Sequence, residues 1–336
     1  MRLTRLARAM ERRLQTALVA ALALGPALTL PAQAQTADTY PNRPIRVVVG
    51  FAPGSSNDLL ARLLAEPMSK TLGQQLVVEN RAGADAIVGT DYVAHAPGDG
   101  YTILSAGAGP LTINPAIYDK LPYDPLKDLT PIAIVGTTAV SLTARNELGA
   151  KTLADVIRVG KAKAGGLTFG SGSTSFQLAG ELIGRQAGIR LTHVPYKGGA
   201  PAVQALAAGD IDLVVTDIPG PLPLVNAGRV ALIAISDLPR PNGQPNVPLM
   251  SESGLPGFDL TFILGLNAPA TTPQAIVQKL YDATAAAMAL QSVRDRLTGM
   301  GIKPNLHTPA QSAARIRRDI ERFTEVARAA KIKAAQ

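Results

Sequence analysis

The first stretch with residues suited to a chemical task is residues 45–58, where an apolar run leads into a turn of small and hydroxyl side chains. Residues 47–49 are three consecutive valines, which is typical of a strand buried on both faces of a parallel sheet. Gly54 tolerates positive φ, and a following serine or asparagine can cap a helix. The free N–H groups of such a turn suit a carboxylate or phosphate. An ordinary strand-to-helix connection has the same pattern, so both interpretations stay open.

A second loop of this kind follows later in the chain. Residues 170–175 read Gly-Ser-Gly-Ser-Thr-Ser between an apolar strand and a predicted helix, so flexible backbone and several hydroxyl groups meet at a helix start. A turn rich in serine and glycine can also do no more than cap its helix. Because one such loop occurs in each half of the chain, the pair favours a binding site.

Three further side chains have two interpretations each. Asp217 directly follows an apolar strand, where its carboxylate could receive a cationic group of a ligand or cap a helix beginning near Pro219. Tyr196 and Lys197 could contact a ligand or lie on the surface of a hinge. The sequence leaves these alternatives open.

Residues for catalysis or metal binding are scarce. The chain has no cysteine, and its three histidines, His95, His193 and His307, have neither metal-ligand spacing nor a nucleophile-elbow pattern near them. His193 lies among apolar residues and is interpreted as a core or interdomain residue rather than a base. A secreted hydrolase using Ser171 or Ser173 would need an adjacent base, and no recognisable pattern supplies one. We therefore expect a protein that is not an enzyme and has no cofactor or metal ion.

Residues 1–34 have the features of a secretory signal peptide, namely a basic region, an apolar region and a final Ala-Gln-Ala. The protein is therefore expected in the periplasm, with no lipid anchor because no cysteine is present. The segment has five arginines and one glutamate, so its removal lowers the formal net charge from +8 to about +4. No block of lysine and arginine with interleaved aromatic residues is present, which excludes nucleic acid as an expected partner.

The remaining residues, about 300, suffice for two α/β domains, in which predicted strands and helices alternate. Residues 131–143 form a predicted strand that leaves one domain and enters the other. Pro67 predicts a kink or an early end of the first helix, and the prolines after residue 109 indicate a loop. The helix from Pro309 is expected to pack back on the first domain. The predicted domains are residues 37–138 with 238–336, and residues 139–237.

Eight motifs occur in an order that resembles one known family. They are Tyr40-Pro41-Asn42-Arg43-Pro44-Ile45-Arg46, Phe51-Ala52-Pro53-Gly54, Leu72-Gly73-Gln74, Val78-Glu79-Asn80-Arg81, Asp99-Gly100-Tyr101, Leu121-Pro122-Tyr123-Asp124-Pro125, His193-Val194-Pro195-Tyr196-Lys197-Gly198 and Ser253-Gly254-Leu255-Pro256-Gly257. Over nearly its whole mature length the chain resembles the solute-binding proteins of tripartite tricarboxylate transporters, often called Bug-type receptors.

The resemblance implies an α/β, two-lobed periplasmic binding protein fold, type II-like, with two doubly wound domains joined by a hinge with two interdomain crossings. Such a protein closes like a Venus flytrap on a small organic acid and delivers this carboxylate ligand to the membrane permease subunits of its transporter. A receptor that presents the solute to a sensor kinase is the alternative that the sequence leaves open.

The resemblance also implies where the ligand binds. In the family, a ligand carboxylate is held against the first lobe, partly through ordered waters, and loops of the second lobe set selectivity. Combined with the side chains singled out above, the predicted ligand-binding residues are Phe51, Ala52, Pro53, Gly54, Ser55, Ser56, Asp58, Ser105, Ala106, Gly107, Ser171, Gly172, Ser173, Thr174, Ser175, Tyr196, Lys197 and Asp217.

The chain departs from the family pattern in this region. Ser55 stands where a second glycine is usual, Ala82-Gly83-Ala84-Asp85 where Pro-Gly-Ala-Gly is usual, Gln177 where a histidine is common, and Leu264-Gly265 where an aromatic-glycine pair is common. If Asp217 faces the cleft, its charge would repel a second carboxylate and favour a ligand with an amino group. The expected ligand is a mono- or dicarboxylate, with amino dicarboxylates and aromatic acids as candidates.

Overall fold

The computed structural model describes residues 40–237, 239–241, 244–258 and 260–330. The predicted signal peptide lies outside the described residues. The strands are β1 (Ile45–Val49), β2 (Leu76–Asn80), β3 (Thr102–Gly107), β4 (Leu129–Arg145), β5 (Leu167–Ser171), β6 (Leu191–Pro195), β7 (Leu213–Asp217), β8 (Val230–Ile235), β9 (Thr261–Pro269) and β10 (Ile302–Pro304). The α-helices are α1 (Ser56–Leu72), α2 (Ile87–Ala94), α3 (Asn114–Ile117), α4 (Leu153–Ala162), α5 (Thr174–Ala187), α6 (Gly199–Ala208), α7 (Leu222–Asn226), α8 (Gln274–Ala289), α9 (Gln291–Gly299) and α10 (Pro309–Ala330). None of the helices within these described ranges is both long and apolar enough to cross a membrane.

The strands form one mixed sheet in the order β2-β1-β3-β9-β4-β7-β5-β6, with β8 and β10 also paired to β4. As the three valines predict, β1 is a buried strand, parallel to both β2 and β3. Strand β5 is parallel to β6 and β7. Because the strands of each parallel set point the same way, the turns after β1 and β5 lie at carboxyl ends of strands, where α/β proteins bind ligands.

Strand β4 joins two parts of the sheet, as the long apolar run predicts. Residues 129–139 pair with β9, and residues 140–145 pair with β7 and β8. We name the part with β1, β2, β3, β9, β10 and residues 129–139 the first half-sheet, and the part with β5 to β8 and residues 140–145 the second half-sheet. The chain passes between them once along β4 and again between β8 and β9.

The sequence predicted either a kink or an early end of the first helix at Pro67. The early end is wrong, because α1 continues through Pro67. Leu60, Leu64 and Met68 are fully buried on one face of this helix. Burying a side chain of this size contributes about 1.5–3 kcal/mol, so together these residues offset the roughly 3 kcal/mol that an internal proline costs.

The loop predicted after residue 109 is also wrong. Gly109–Ile113 is a π-helix, and α3 follows it directly. Pro110 and Pro115 each occupy the second position of their helix, where a backbone N–H has no intrahelical partner to lose. The prolines therefore begin these two short helices instead of preventing them.

Helix α10 packs where the sequence predicts, against the π-helix, α3 and β4. Its apolar stripe buries Ile316, Phe323 and Ala327, and the ring of Phe323 lies 6.1 Å from that of Phe262 on β9. The carboxyl-terminal helix thus packs mainly against elements of the first half-sheet.

Candidate functional site

A cavity of about 370 Å³ lies between the loops of the two half-sheets. Its volume is within the range of small-molecule sites. The predicted residues that line it are Phe51, Ala52, Pro53, Gly54, Ser55, Ser56, Gly107, Gly172, Ser173, Ser175 and Asp217. The lining residues that the sequence analysis did not predict are Asn57, Leu59, Ala108, Gly109, Thr138, Phe176, Gly198, Gly199, Ala200, Thr216, Pro219, Gly220, Pro223, Phe262, Ile263 and Leu264.

The turn between β1 and α1 forms one wall of the cavity and is fixed by Asp58. Gly54 has φ of 86°, and its N–H donates to Oδ2 of Asp58 at 2.9 Å, while the Asp58 N–H donates to Oγ of Ser55 at 3.3 Å. Arg62 and Asn80 also donate to this carboxylate. Burial raises the pKa of Asp58, but hydrogen bonds from Arg62, Gly54 and Asn80 outweigh burial and lower it. Asp58 is therefore an ionised residue that holds the turn, and it does not line the cavity.

Asp217 connects the second half-sheet to the start of α1. At the end of β7, its Oδ2 accepts hydrogen bonds from the backbone N–H of Ser56, at 3.1 Å, and from the Ser56 hydroxyl. The hydroxyl of Thr216 donates to Oδ1 at 3.2 Å. The carboxylate thus caps α1, rather than the helix after Pro219, with the charge at the positive end of the helix dipole.

A second carboxylate, that of Asp85, connects the first half-sheet to the start of α5. Asp85 follows β2, and its Oδ2 accepts hydrogen bonds from the backbone N–H of Thr174, at 3.1 Å, and from the Thr174 hydroxyl, at the start of α5. Residues 84–86 all have positive φ, of 43°, 56° and 66°. Burial raises the pKa of the Asp85 carboxyl to about 6. Neither Asp85 nor Thr174 lines the cavity, but Ser173 and Ser175, on either side of Thr174, do.

Helix α6 also begins at the cavity, but no side chain caps it. Its N-cap residue, Gly198, and its first two residues, Gly199 and Ala200, line the cavity, and Gly198 has φ of 110° with no side-chain hydrogen bond to the helix start. A Cβ on Gly172 would lie 1.9 Å from the carbonyl carbon of Gly198, so the turn after β5 can approach this closely only with glycine at position 172. The backbone N–H groups of Gly199 and Ala200, at this uncapped helix start, are therefore candidates for binding an anion.

Asn57 is a polar residue that the sequence analysis named only as a helix cap. Its side chain is 7% exposed and lines the cavity, and within the described part of the chain its Oδ1 has no hydrogen-bond partner. A buried polar atom normally has a partner, so this one is a candidate ligand contact. Its position in the sequence could have indicated this role, because Asn57 directly follows Ser56 at the start of α1.

The rest of the cavity is mostly apolar. Phe51, Phe176 and Phe262 contribute aromatic rings, and Leu264 adds an aliphatic side chain. Among the described residues that line the cavity, Asp217 is the one with a formal charge. A ligand carboxylate would therefore be bound by N–H and hydroxyl donors rather than by lysine, arginine or histidine.

Seven predicted residues lie outside the cavity lining. Besides Asp58 and Thr174 they are Ser105, Ala106, Ser171, Tyr196 and Lys197. Ser105 and Ala106 are buried in β3, where the Ser105 hydroxyl donates to the backbone carbonyl of Asn57 at 3.0 Å. Tyr196 is half-buried and Lys197 is exposed. Contact between a ligand and any residue of the predicted set remains a prediction.

The structure places a histidine beside Ser171, although no recognisable sequence pattern supplies a base there. Parallel pairing of β5 with β6 brings the Ser171 hydroxyl to 2.8 Å from Nε2 of His193. Burial lowers the pKa of His193 to about 4, so its imidazole is neutral at pH 7. The hydroxyl donates its proton to the carbonyl of Ser173 at 3.1 Å, in which case His193 donates from Nε2. Ser171 is 1% exposed and does not line the cavity, so this pair lacks the access that a nucleophile needs.

The chain matches the family described as tripartite tricarboxylate transporter family receptor over residues 60–332. It is 31% identical to the adipate-bound protein Rpa4515 of R. palustris, with a TM-score of 0.84 over 88% of this chain and 99% of that one. It is 34% identical to MatC from Rhodopseudomonas palustris with bound malate, with a TM-score of 0.79 over 85% and 99%.

The periplasmic binding protein BugD is 31% identical, with a TM-score of 0.82 over 88% of this chain and 99% of that one. These matches confirm the predicted fold class, an α/β periplasmic binding protein fold, and the family that the eight motifs indicate. On this evidence, the chain belongs to the receptors of the tripartite tricarboxylate transporter family, which are solute-binding proteins.

Proposed function

We propose that this receptor binds a small organic acid in the cavity through a carboxylate and delivers it to the membrane permease subunits of a tripartite tricarboxylate transporter. The observation that carries the proposal is the start of α6, where residues 198–200 line the cavity without a side-chain cap. Malate and adipate in the two related structures support a carboxylate.

Binding is proposed to close the two predicted domains on the acid. The contacts of Asp217 with Ser56 and of Asp85 with Thr174 join residues 161 and 89 positions apart, across the two half-sheets. Contacts of this kind form when two domains close and are lost when they open. In this view β4 and the return from β8 to β9 form the hinge.

The proposed role requires no reaction of the ligand. The Ser171–His193 pair lies outside the cavity, and the described residues include no group of three or more His, Asp or Glu side chains that could hold a metal ion. We expect a bound acid to be recovered unchanged after prolonged incubation with the protein. Formation of a product that depends on Ser171 would contradict this part of the proposal.

Export is the other part of the proposed role. We propose cleavage after residue 34 and release of the mature chain into the periplasm. Amino-terminal sequencing of protein recovered from the periplasmic fraction should begin at Gln35. Recovery of the whole chain with its first 34 residues, in the cytoplasmic fraction, would contradict the proposal.

The ligand is tested by a thermal-shift screen of the mature protein after unfolding and refolding to remove any co-purified acid. The panel contains mono- and dicarboxylates, amino dicarboxylates and aromatic acids. An acid at about a hundredfold its dissociation constant should add roughly 2.7 kcal/mol to the free energy of unfolding, which corresponds to several degrees. A panel without any shift, on protein shown to be refolded, would contradict carboxylate binding.

The membrane partner is tested separately with the loaded protein. Permease subunits should co-purify with the acid-bound receptor from detergent-solubilised membranes and should be absent when the acid is omitted. Capture of a sensor kinase in place of the permease would support the alternative receptor role and would contradict delivery for transport.

A further inference from the structure

Three helices of at least ten residues begin at the cavity wall, and the protein itself supplies anions to two of them. Asp217 caps α1 through Ser56, and Asp85 caps α5 through Thr174. Helix α6 has no side-chain cap. Since a helix start attracts negative charge, two of the three anion-binding positions are already taken by residues of the chain.

The carboxylate of Asp85 lies in an unusual place for an aspartate. Residues 84–86 form three consecutive left-handed positions, a conformation that glycine adopts without cost and other residues rarely adopt. The two hydrogen bonds from Thr174 hold Asp85 there. Its other oxygen, Oδ1, is buried and has no hydrogen-bond partner among the described residues. The α5 start therefore holds a carboxylate that is desolvated and only partly satisfied.

This carboxylate lies directly behind the lining of the cavity. Ser173 and Ser175 line the cavity on either side of Thr174, so a ligand group that approached the start of α5 would meet the charge of Asp85. The described lining has no lysine, arginine or histidine to offset that charge. Like charges at short range in a poorly solvated site repel strongly. The remaining lining near α5 is aromatic, with Phe176 beside Phe262, whose ring centroids lie 5.4 Å apart.

We infer that this receptor selects an acid with a single carboxylate and an apolar remainder, and that Asp85 is the residue that excludes a second carboxylate from the start of α5. The inference rests on the proposed function. The single carboxylate binds at the start of α6, and the apolar part of the ligand packs against the rings of Phe51, Phe176 and Phe262. This defines a narrower class of ligand than organic acids in general.

The test is calorimetric titration with pairs of acids of equal length, from butanoate and succinate to octanoate and suberate, at pH 8. The wild-type protein should bind the best monocarboxylate at least tenfold more tightly than its dicarboxylate partner. In Asp85→Gly, which suits the left-handed backbone, the ratio of the two affinities should move at least tenfold toward the dicarboxylate. Asp85→Asn, which keeps the size of the side chain and removes its charge, should move the ratio in the same direction.

The matched control is Asp155→Asn, which removes the same charge from the capping box at the start of α4, among residues that do not line the cavity. Its ratio of affinities should equal that of the wild type. An equal loss of affinity for both acids in Asp85→Gly would assign Asp85 a structural role and overturn the inference. A wild-type preference for dicarboxylates would also overturn it while leaving the proposed function intact, whereas binding of neither class would overturn both.

Discussion

Ser56 donates both its backbone N–H and its hydroxyl to one carboxylate oxygen of Asp217, a residue 161 positions further along the chain. Ser56 is the first residue of α1, and Asp217 is the last residue of β7. The contact therefore joins a helix of the first half-sheet to a strand of the second. Both residues line the cavity, and under the proposed function their contact forms when the two domains close on a ligand.

Replacing Asp217 by asparagine should weaken ligand binding. The substitution removes the charge from the hydrogen bonds with Ser56, and hydrogen bonds to charged groups contribute about 1.5–3 kcal/mol. We expect the dissociation constant of the best acid to rise by roughly tenfold to a hundredfold in calorimetric titration. Ser56→Ala keeps the backbone hydrogen bond and should show a smaller loss. Strictly additive losses in the double variant would show that the two residues are not coupled.

Gly172→Ala should disrupt binding by displacing the start of α6. A Cβ at this position would lie 1.9 Å from the carbonyl carbon of Gly198 and 2.2 Å from the nitrogen of Gly199, so the two backbones must separate. Carboxylate affinity should fall at least tenfold. Gly54→Ala is the matched comparison, because a Cβ there meets nothing within 4 Å and its cost is the positive φ alone, about 1–2 kcal/mol. Equal affinity in Gly172→Ala and wild type would exclude the start of α6 from the site.

The carboxyl of Asp85 should make stability depend on pH in the direction opposite to most aspartates. Burial raises its folded-state pKa from 3.8 to about 6, so the folded protein binds more protons than the unfolded chain between these values. The free energy of unfolding therefore falls as pH rises from about 4 to about 6. The titratable neighbours Tyr118 and Tyr123 have pKa values raised further above 10 and stay neutral in this range.

Asp85→Asn removes that titration. The variant should be more stable than the wild type at pH 7.5, by of the order of 1–3 kcal/mol, and the difference should disappear near pH 4. Urea unfolding at the two pH values measures both quantities. A wild type that is the more stable protein at pH 7.5 would show that the Thr174 hydrogen bonds outweigh the cost of burying the Asp85 charge.

Asp212 should be a major contributor to the stability of the second half-sheet. It is 3% exposed, and its carboxylate contacts Arg145 at 3.0 Å and Lys163 at 2.7 Å. Burial raises the pKa of Asp212, but the hydrogen bonds from Lys163, the Thr168 amide and Arg145 outweigh it and lower the pKa to about 2. The stabilisation is complete above about pH 4 and is lost as the pH falls toward 2.

Asp212→Ala leaves Arg145 and Lys163 without this carboxylate, but both cations are partly exposed to solvent, so the cost is that of hydrogen bonds to charged groups, about 1.5–3 kcal/mol. Urea unfolding at pH 7 should show a loss of that order, and the loss should shrink at pH 3. Asp155→Ala, at the more exposed of the two carboxylates, provides the comparison and should lose less. Similar losses at Asp212 and Asp155 would mean that burial adds little to the Asp212 network.

Local patterns in the sequence predicted the elements that carry the site. The three valines followed by Gly54 predicted β1 and its turn, and the serine-rich segment at 170–175 predicted the start of α5. The long apolar run predicted β4. In each case the signal lies within a few neighbouring residues, because strand burial and helix capping depend on the immediate chain.

The contacts between distant residues could not be predicted in this way. Asp85 reaches Thr174 across 89 positions, and the approach of Gly172 to Gly198 depends on how the β5 turn meets α6. The Ser171–His193 contact follows from the register of two parallel strands, which the sequence pattern does not fix. These arrangements depend on tertiary packing, which no local propensity specifies.

The measurement that tests the central claim most directly is calorimetric titration of Asn57→Asp with the best acid of the screen, at pH 8. Asn57 is buried in the cavity lining and its Oδ1 has no hydrogen-bond partner within the described residues, so the substitution adds an anion of nearly the same shape to the site. If the acid binds in this cavity, repulsion between the two carboxylates should weaken binding at least a hundredfold in a variant whose circular dichroism matches the wild type. Affinity equal to that of the wild type would contradict the account, because the carboxylate would then bind elsewhere.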